Sequence, residues 1–270
     1  MDLSLDPGVL ATLVVAEWLY LRALAILRRR GVAVGLGQKV AWHAGLGLWV
    51  LGLVSPVDAL GDDLLTAHMA QHLLIADLGA PLLLVGARNP VLMFLAPRPA
   101  LVWLARRDRL RRAFRALRQP LVAVFVYVLV LYSWHFGFAF EAAVRNPALH
   151  ALQHASFVGA GVLVWWSAID PKRRHVAGEL WKIPYLLGAR MAGMFLGMAF
   201  VLIRVPIYTS VYGTGERALG LGAVHDQQLA GALMVLLDLA IMAFALCFFF
   251  LRSARDADRA EQGERTATVS

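Results

Sequence analysis

The chemistry in this sequence is concentrated in its histidines. Four of the eight stand in two pairs of identical spacing, His68 and His72 in HMAQH and His150 and His154 in HALQH. Residues four apart on an α-helix leave nearly the same face, about 6 Å apart along the axis, so both imidazoles of a pair can close on one ion. Two such helices side by side offer up to four nitrogens. Imidazole suits Cu, Zn, Fe and Ni, and a thioether from Met69, or from Met191, Met194 and Met198, would add the softness that favours Cu(I). The last three methionines also follow the spacing of ordinary helix packing. Gln71 and Gln153 each precede the second histidine of a pair and are candidates to orient it by a hydrogen bond. Two other readings of the pairs stay open: a structural hydrogen-bonding layer, and axial ligation of a haem by histidines from two helices.

The elements that must position these rings are membrane helices. Of 270 residues, 60% are hydrophobic and only 16% charged, with mean hydropathy +0.64. A soluble domain carries about 25% charged residues, so this chain has too little polar material to cover a water-facing surface. Cys247 is the only cysteine, which excludes a disulfide scaffold and a Cys-based zinc site. Seven apolar runs reach the length of about 17 to 25 residues that a helix needs to cross a bilayer. They lie near residues 7–27, 38–54, 64–86, 120–139, 149–169, 183–204 and 226–251. The expected fold is therefore all-α, a polytopic seven-helix bundle over residues 1–251, followed by a charged tail at 252–270 expected to be disordered. No cleavable signal peptide is apparent, because Asp2 and Asp6 stand where a basic region would precede the first apolar run.

Charge sets the orientation. Of 26 Lys and Arg, 21 fall in alternate connecting segments: four around 28–39, nine in 88–118, four in 172–182 and four in 252–265. The opposite segments hold only Arg145, Arg204 and Arg217. The basic side is thus expected in the cytoplasm, with the N-terminus outside and the C-terminus inside. The run LARRDRLRRAFRALRQP interleaves arginines with apolar residues; it reads as an interfacial helix on anionic lipid rather than a nucleic-acid patch.

At about 1.5 Å per residue, six of the eight histidines, His68, His72, His135, His150, His154 and His225, fall within about 12 Å of the outer surface. His43 and His175 stand apart. Deeper in the bundle, Asp77, Asp238, Arg190 and Arg22 fall near one level. Unpaired charge in lipid is costly, so Arg190 is expected to pair with Asp77 or Asp238; a proton or ion path is the functional alternative.

The stretches AHMAQHLLIADLGAPLLLVGARNP (67–90), WHFGFAFEAAVRNPALHALQHASFVGAGVLVWW (134–166) and DQQLAGALM (226–234) resemble the CtaG-type cytochrome c oxidase assembly factors, a seven-span bacterial plasma-membrane family. The resemblance covers most of the chain. It implies a place in the maturation of a haem-copper terminal oxidase, with oxidase subunits as partners and copper delivery as the task, no catalytic turnover, and a location in the bacterial inner membrane. The family's metal positions carry over to His68, His72, His135, His150, His154 and Asp226. A b-type cytochrome is the principal alternative function. A membrane zinc hydrolase using three histidines, Asp226 and a bound water is a third, but no general base stands at a diagnostic spacing.

Overall fold

A computed structural model of the chain describes residues 6–169 and 180–269. The expectations for His175 and for the Lys172 to Arg174 cations lie outside the described residues. Among those residues the chain is helical, with no strand. Helix α1 (Pro7–Arg29) begins where the Asp6 side chain accepts from the Gly8 and Val9 amides and Pro7 fills the first helical position. It ends at three arginines and Gly31, whose φ of 71° suits a residue without Cβ. Then follow α2 (Leu36–Leu53), the short α3 (Pro56–Gly61) and a continuous span over Leu65–Gly86. That span comprises α4 (Leu65–His72), a π-helical stretch (Leu73–Gly79) and α5 (Ala80–Gly86).

Three short helices cross the basic segment: α6 (Leu92–Leu95), α7 (Arg98–Ala105) and α8 (Asp108–Leu117). Helices α7 and α8 bury no residue, and α8 sets Phe114 and Leu117 against a face of arginines, the pattern of an interfacial helix. The second half of the bundle is α9 (Pro120–His135), α10 (Gly137–Arg145), α11 (Pro147–Ile169), α12 (Lys182–Leu202), α13 (Thr209–Tyr212) and α14 (Ala223–Val269).

Each of the seven apolar runs is helical, the fourth broken at Phe136, and among the described residues five helices are long and apolar enough to cross a membrane. A sixth candidate is α8 with α9, bent by 81° between them. The protein is a multi-pass membrane protein. Two elements differ from the sequence expectation, α2 in apolarity and α9 in length. Helix α2 opens with polar Gln38, Lys39 and His43, which dilute its 18 residues, and α9 stops at His135 rather than continuing to 139. Phe136 adopts an extended conformation there, and Gly137 starts a new helix. The charged tail expected to be disordered is instead helical, because α14 continues unbroken from its apolar part through Arg252 to Val269.

The tightest helix pair is α12 on α14, and small residues make it possible. A Cβ at Gly231 would lie 2.4 Å from the Gly197 carbonyl and 2.7 Å from the Phe200 Cβ. Gly193 and Gly197 form a G-x-x-x-G face against α14, Gly197 opposite Gly231 and Gly193 opposite Asp238, so the two backbones approach as only small residues allow in a membrane. Gly231→Ala should force the helices apart and destabilise the fold by roughly 1–3 kcal/mol, the usual range for overpacking. Gly159→Ala, where a Cβ meets nothing within 4 Å, should leave the melting temperature in detergent unchanged or higher. Equal melting of the two variants would contradict the assigned packing.

Candidate metal centre

The continuous span Leu65–Gly86 and helix α11 carry the two histidine pairs, and the fold brings them together. Ring centroids lie 4.5 Å apart for His68 and His72, 5.1 Å for His68 and His150, 4.9 Å for His72 and His154, and 4.2 Å for His150 and His154. One ring nitrogen from each of His68, His72 and His150 falls within 4.8 Å of the others. Ligand nitrogens sit about 2.0 Å from a bound ion, so shifts of about 1 Å would bring all three to one metal. Among the described residues this is the one group of three or more His, Cys, Asp or Glu that close. His68 and His72 are buried, whereas His150 and His154 are half-buried.

Nitrogens without hydrogen-bond partners face this cluster. Nε2 of His68, His150 and His154 and both nitrogens of His72 are buried with no partner. Buried polar groups are paired in the great majority of cases, so five orphaned nitrogens in one place form a donor set suited to a metal. The rings are held from behind. His68 has a backbone hydrogen bond to Gly61, whose carbonyl also accepts from the Tyr212 hydroxyl at 2.8 Å. A carbonyl partner on one ring nitrogen leaves the other free to ligate and fixes the ring's orientation.

His135 stands one step away. Its ring meets Phe140, Phe157 and Phe200 at 5.9 to 6.5 Å and no other histidine, and its Nδ1 lies 2.7 Å from the Leu131 carbonyl. A cavity of about 30 Å³ connects it to the cluster, lined by His72, His135, Met69, Met234, Tyr127 and Asp77 among others. On the other side of the cluster, a cleft of about 600 Å³ lined by His154, Trp49, Thr12 and Asp6 opens toward the periphery.

With this geometry in view, the comparison with known proteins is decisive. The model of the cytochrome c oxidase caa3 assembly factor family, Caa3_CtaG, matches residues 18–256. The chain belongs to that family. It also resembles two uncharacterized proteins, Mb0105 of Mycobacterium bovis and MT0111 of Mycobacterium tuberculosis, each 27% identical over 226 residues. The match covers 79% of this chain and 33% of either relative, so the chain spans about a third of the length of these curated relatives. No solved structure matches it.

For this Caa3_CtaG member, the remaining site residues of the sequence reading take different places. Asp226, carried over as a ligand, is fully buried and spent elsewhere. Its oxygens accept from the Leu65 amide at 2.8 Å and the Thr66 amide at 2.9 Å, and from Arg217 at 2.5 Å. Leu64 at the start of α4 offers no capping side chain, so Asp226 at the start of α14 caps that helix from across the bundle. It positions the helix that carries His68 and His72. Gln71 donates to Asp58 and not to His72, tying the span to α3; burial pushes the Asp58 carboxyl up, and the Gln71 hydrogen bond opposes that shift. Gln153 is buried without a hydrogen-bond partner and likewise does not orient its neighbour. His225 is exposed, and His43 lies on the surface 3.2 Å from Glu17.

Met191, Met194 and Met198 do not line the small cavity; Met69 and Met234 do. Only Met234 was not among the methionines singled out by spacing, since it lies on α14 with no ligand-like neighbour in sequence. Asp226→Asn should lower the melting temperature by several degrees, since an amide accepts for one cap bond but cannot pair with Arg217. Its metal stoichiometry should stay at the wild-type value. Normal melting with metal lost would return Asp226 to the ligand set.

The deeper layer forms as a triad. Arg190 is fully buried, donates to Asp77 and to Asp238 at 3.2 Å, and sits 4.7 Å over the Tyr127 ring. The expected single pairing is a double one. A Cβ at Gly193 would lie 2.3 Å from Asp238, so that glycine leaves room for the carboxylate. Arg22 is not part of the layer: it donates to the Phe94 and Leu95 carbonyls at 2.7 and 3.2 Å.

Proposed function

We propose that this protein is a seven-span inner-membrane assembly factor for a haem-copper terminal oxidase, and that it binds copper at the histidine cluster and hands it to an oxidase subunit. Family membership supports the assembly role and the oxidase as partner. The observation that carries the copper reading is the convergence of His68, His72, His150 and His154 with their unpartnered nitrogens. Imidazole suits copper, and Met69 and Met234 in the adjoining cavity add thioethers that favour Cu(I). A delivery site needs ligands that can be exchanged. Two buried and two half-buried rings, with His154 of the latter pair lining the 600 Å³ cleft, supply both retention and access. The proposed orientation places this end of the bundle outside, opposite the basic segments.

The geometry favours copper over haem. Ring centroids 4.2 to 5.1 Å apart, with Phe140 4.9 Å from His68 and Phe157 4.8 Å from His72, make a compact donor set scaled to a single ion. A zinc hydrolase would use Asp226 beside three histidines, and that carboxylate is engaged by Arg217 and two amides. The full chain, purified in detergent and titrated with Cu(I) against a competing chelator, should retain copper with no Soret absorption. Absence of retained copper overturns the reading, and a Soret band replaces it with the cytochrome.

A further inference from the structure

The chamber of about 30 Å³ lies between His72 of the cluster and Asp77 of the ion-pair triad. Three possible donors from three helices line it: Met69 on α4, His135 at the end of α9 and Met234 on α14. Both methionines are buried, 2% and 4% exposed. The His135 ring is set for ligation. Its Nδ1 lies 2.7 Å from the Leu131 carbonyl, and a carbonyl only accepts, so Nδ1 carries the proton. Nε2 is then left with a lone pair, buried and without a partner. Leu73, Leu131 and Phe157 make the rest of the wall largely apolar. At the far side the triad sets two carboxylates, Asp77 and Asp238, against the single guanidinium of Arg190, an excess of one negative charge.

We propose that this chamber is a second metal site, separate from the histidine cluster, which takes Cu(I) on Nε2 of His135 and the sulfurs of Met69 and Met234. Thioethers are soft donors of the kind that select Cu(I). All three ligands are neutral, so a monovalent ion keeps its charge and offsets the excess on the triad. Zn(II) would bring two charges to a site with no free anionic ligand, since Asp77 is held by Arg190. The site is distinct from the cluster because the His135 ring packs against Phe140, Phe157 and Phe200. Thioether sulfur is a weak donor, so this ion is held less tightly than one on the imidazoles and fills second. Its place beside His72 makes the chamber a stage through which an ion passes to or from the cluster. That passage rests on the copper reading above, whereas the site rests on its own donors.

The full chain, purified in detergent under reducing conditions and titrated with Cu(I), tests the site. The wild type should bind two Cu(I), the second at least about tenfold more weakly than the first, a step of about 1.4 kcal/mol. X-ray absorption of the doubly loaded protein should show sulfur as well as nitrogen neighbours, and excess Zn(II) should not displace the second ion. Met69→Leu with Met234→Leu, a volume-conserving pair of changes, should bind one Cu(I) with the sulfur signal gone and melting unchanged. Either methionine substitution alone, and His135→Leu, should also lose the second equivalent and keep the first. A single Cu(I) per wild-type chain overturns the proposal; with nitrogen neighbours only, it leaves the copper reading of the cluster standing. Absence of any bound Cu(I) overturns both. Two Cu(I) on the double methionine variant, or displacement of the second ion by Zn(II), overturns the chamber site alone.

Discussion

Arg190→Ala should remove most of the folded protein from the membrane. The guanidinium is fully buried and serves two carboxylates, Asp77 and Asp238, from helices distant in sequence. Its loss leaves two negative charges side by side in a low-dielectric interior with no compensating cation. Removing one partner of a buried ion pair costs about 3–5 kcal/mol, a large part of the total of about 5–15 kcal/mol that holds a typical protein folded. The measurement is the yield of monodisperse protein after detergent extraction, with its thermal unfolding. Arg190→Lys should fall between the wild type and Arg190→Ala, because a lysine keeps the charge but not the planar fork that reaches both carboxylates. If Arg190→Ala instead accumulates normally while oxidase assembly fails, the triad is a pathway for protons or ions and not a structural clamp.

The largest functional effect is expected at the histidines. His72→Ala and His154→Ala should each weaken Cu(I) retention at least tenfold, with little loss of folded protein. The double variant should be scarcely worse than either single one. Residues that serve one site are non-additive, because the first removal already destroys what the second would disturb. The rings of His72 and His154 lie 4.9 Å apart on different helices, so they contribute to one cluster and not to two. In cells carrying either variant, the oxidase polypeptide should be inserted with its haem but lack copper and activity. Full copper in the oxidase of the His72→Ala strain, or strictly additive losses in the double variant, would refute a shared delivery site.

Much of this is legible in local sequence pattern. Helices were readable because a bilayer demands long apolar runs, and each of the seven runs is helical. The pairing of His68 with His72 and of His150 with His154 followed from the i, i+4 geometry of a helix, which acts within one element. The charge at Arg190 implied a carboxylate partner because lipid does not tolerate it alone. Where an element ends was less legible. Helix α9 stops at His135 through the extended backbone of Phe136, a local conformation that an apolar sequence does not announce. The tail beyond Leu251 has the composition of a disordered segment, yet it inherits helical geometry by continuing α14, since adding a residue to an existing helix avoids the cost of a new nucleus.

What only the tertiary structure decided is which helices face one another. The family resemblance puts Asp226 among the ligands, and nothing in its neighbourhood in sequence distinguishes a ligand from a cap. Its role follows from α4 beginning at a leucine, beside the start of α14, where bare amides needed an acceptor. The same holds for Gln71, taken by Asp58, and for His135, whose ring meets Phe140 and Phe157. It holds for Asp77 and Asp238 sharing one arginine, which requires three helices to meet at Arg190. The sequence by itself determined the solvent this chain folds in, its helical elements and the residues able to ligate. Packing across the bundle determined which of those residues converge, because interhelical contacts depend on close approach at positions such as Gly197 and Gly231, and no period within a single helix encodes that.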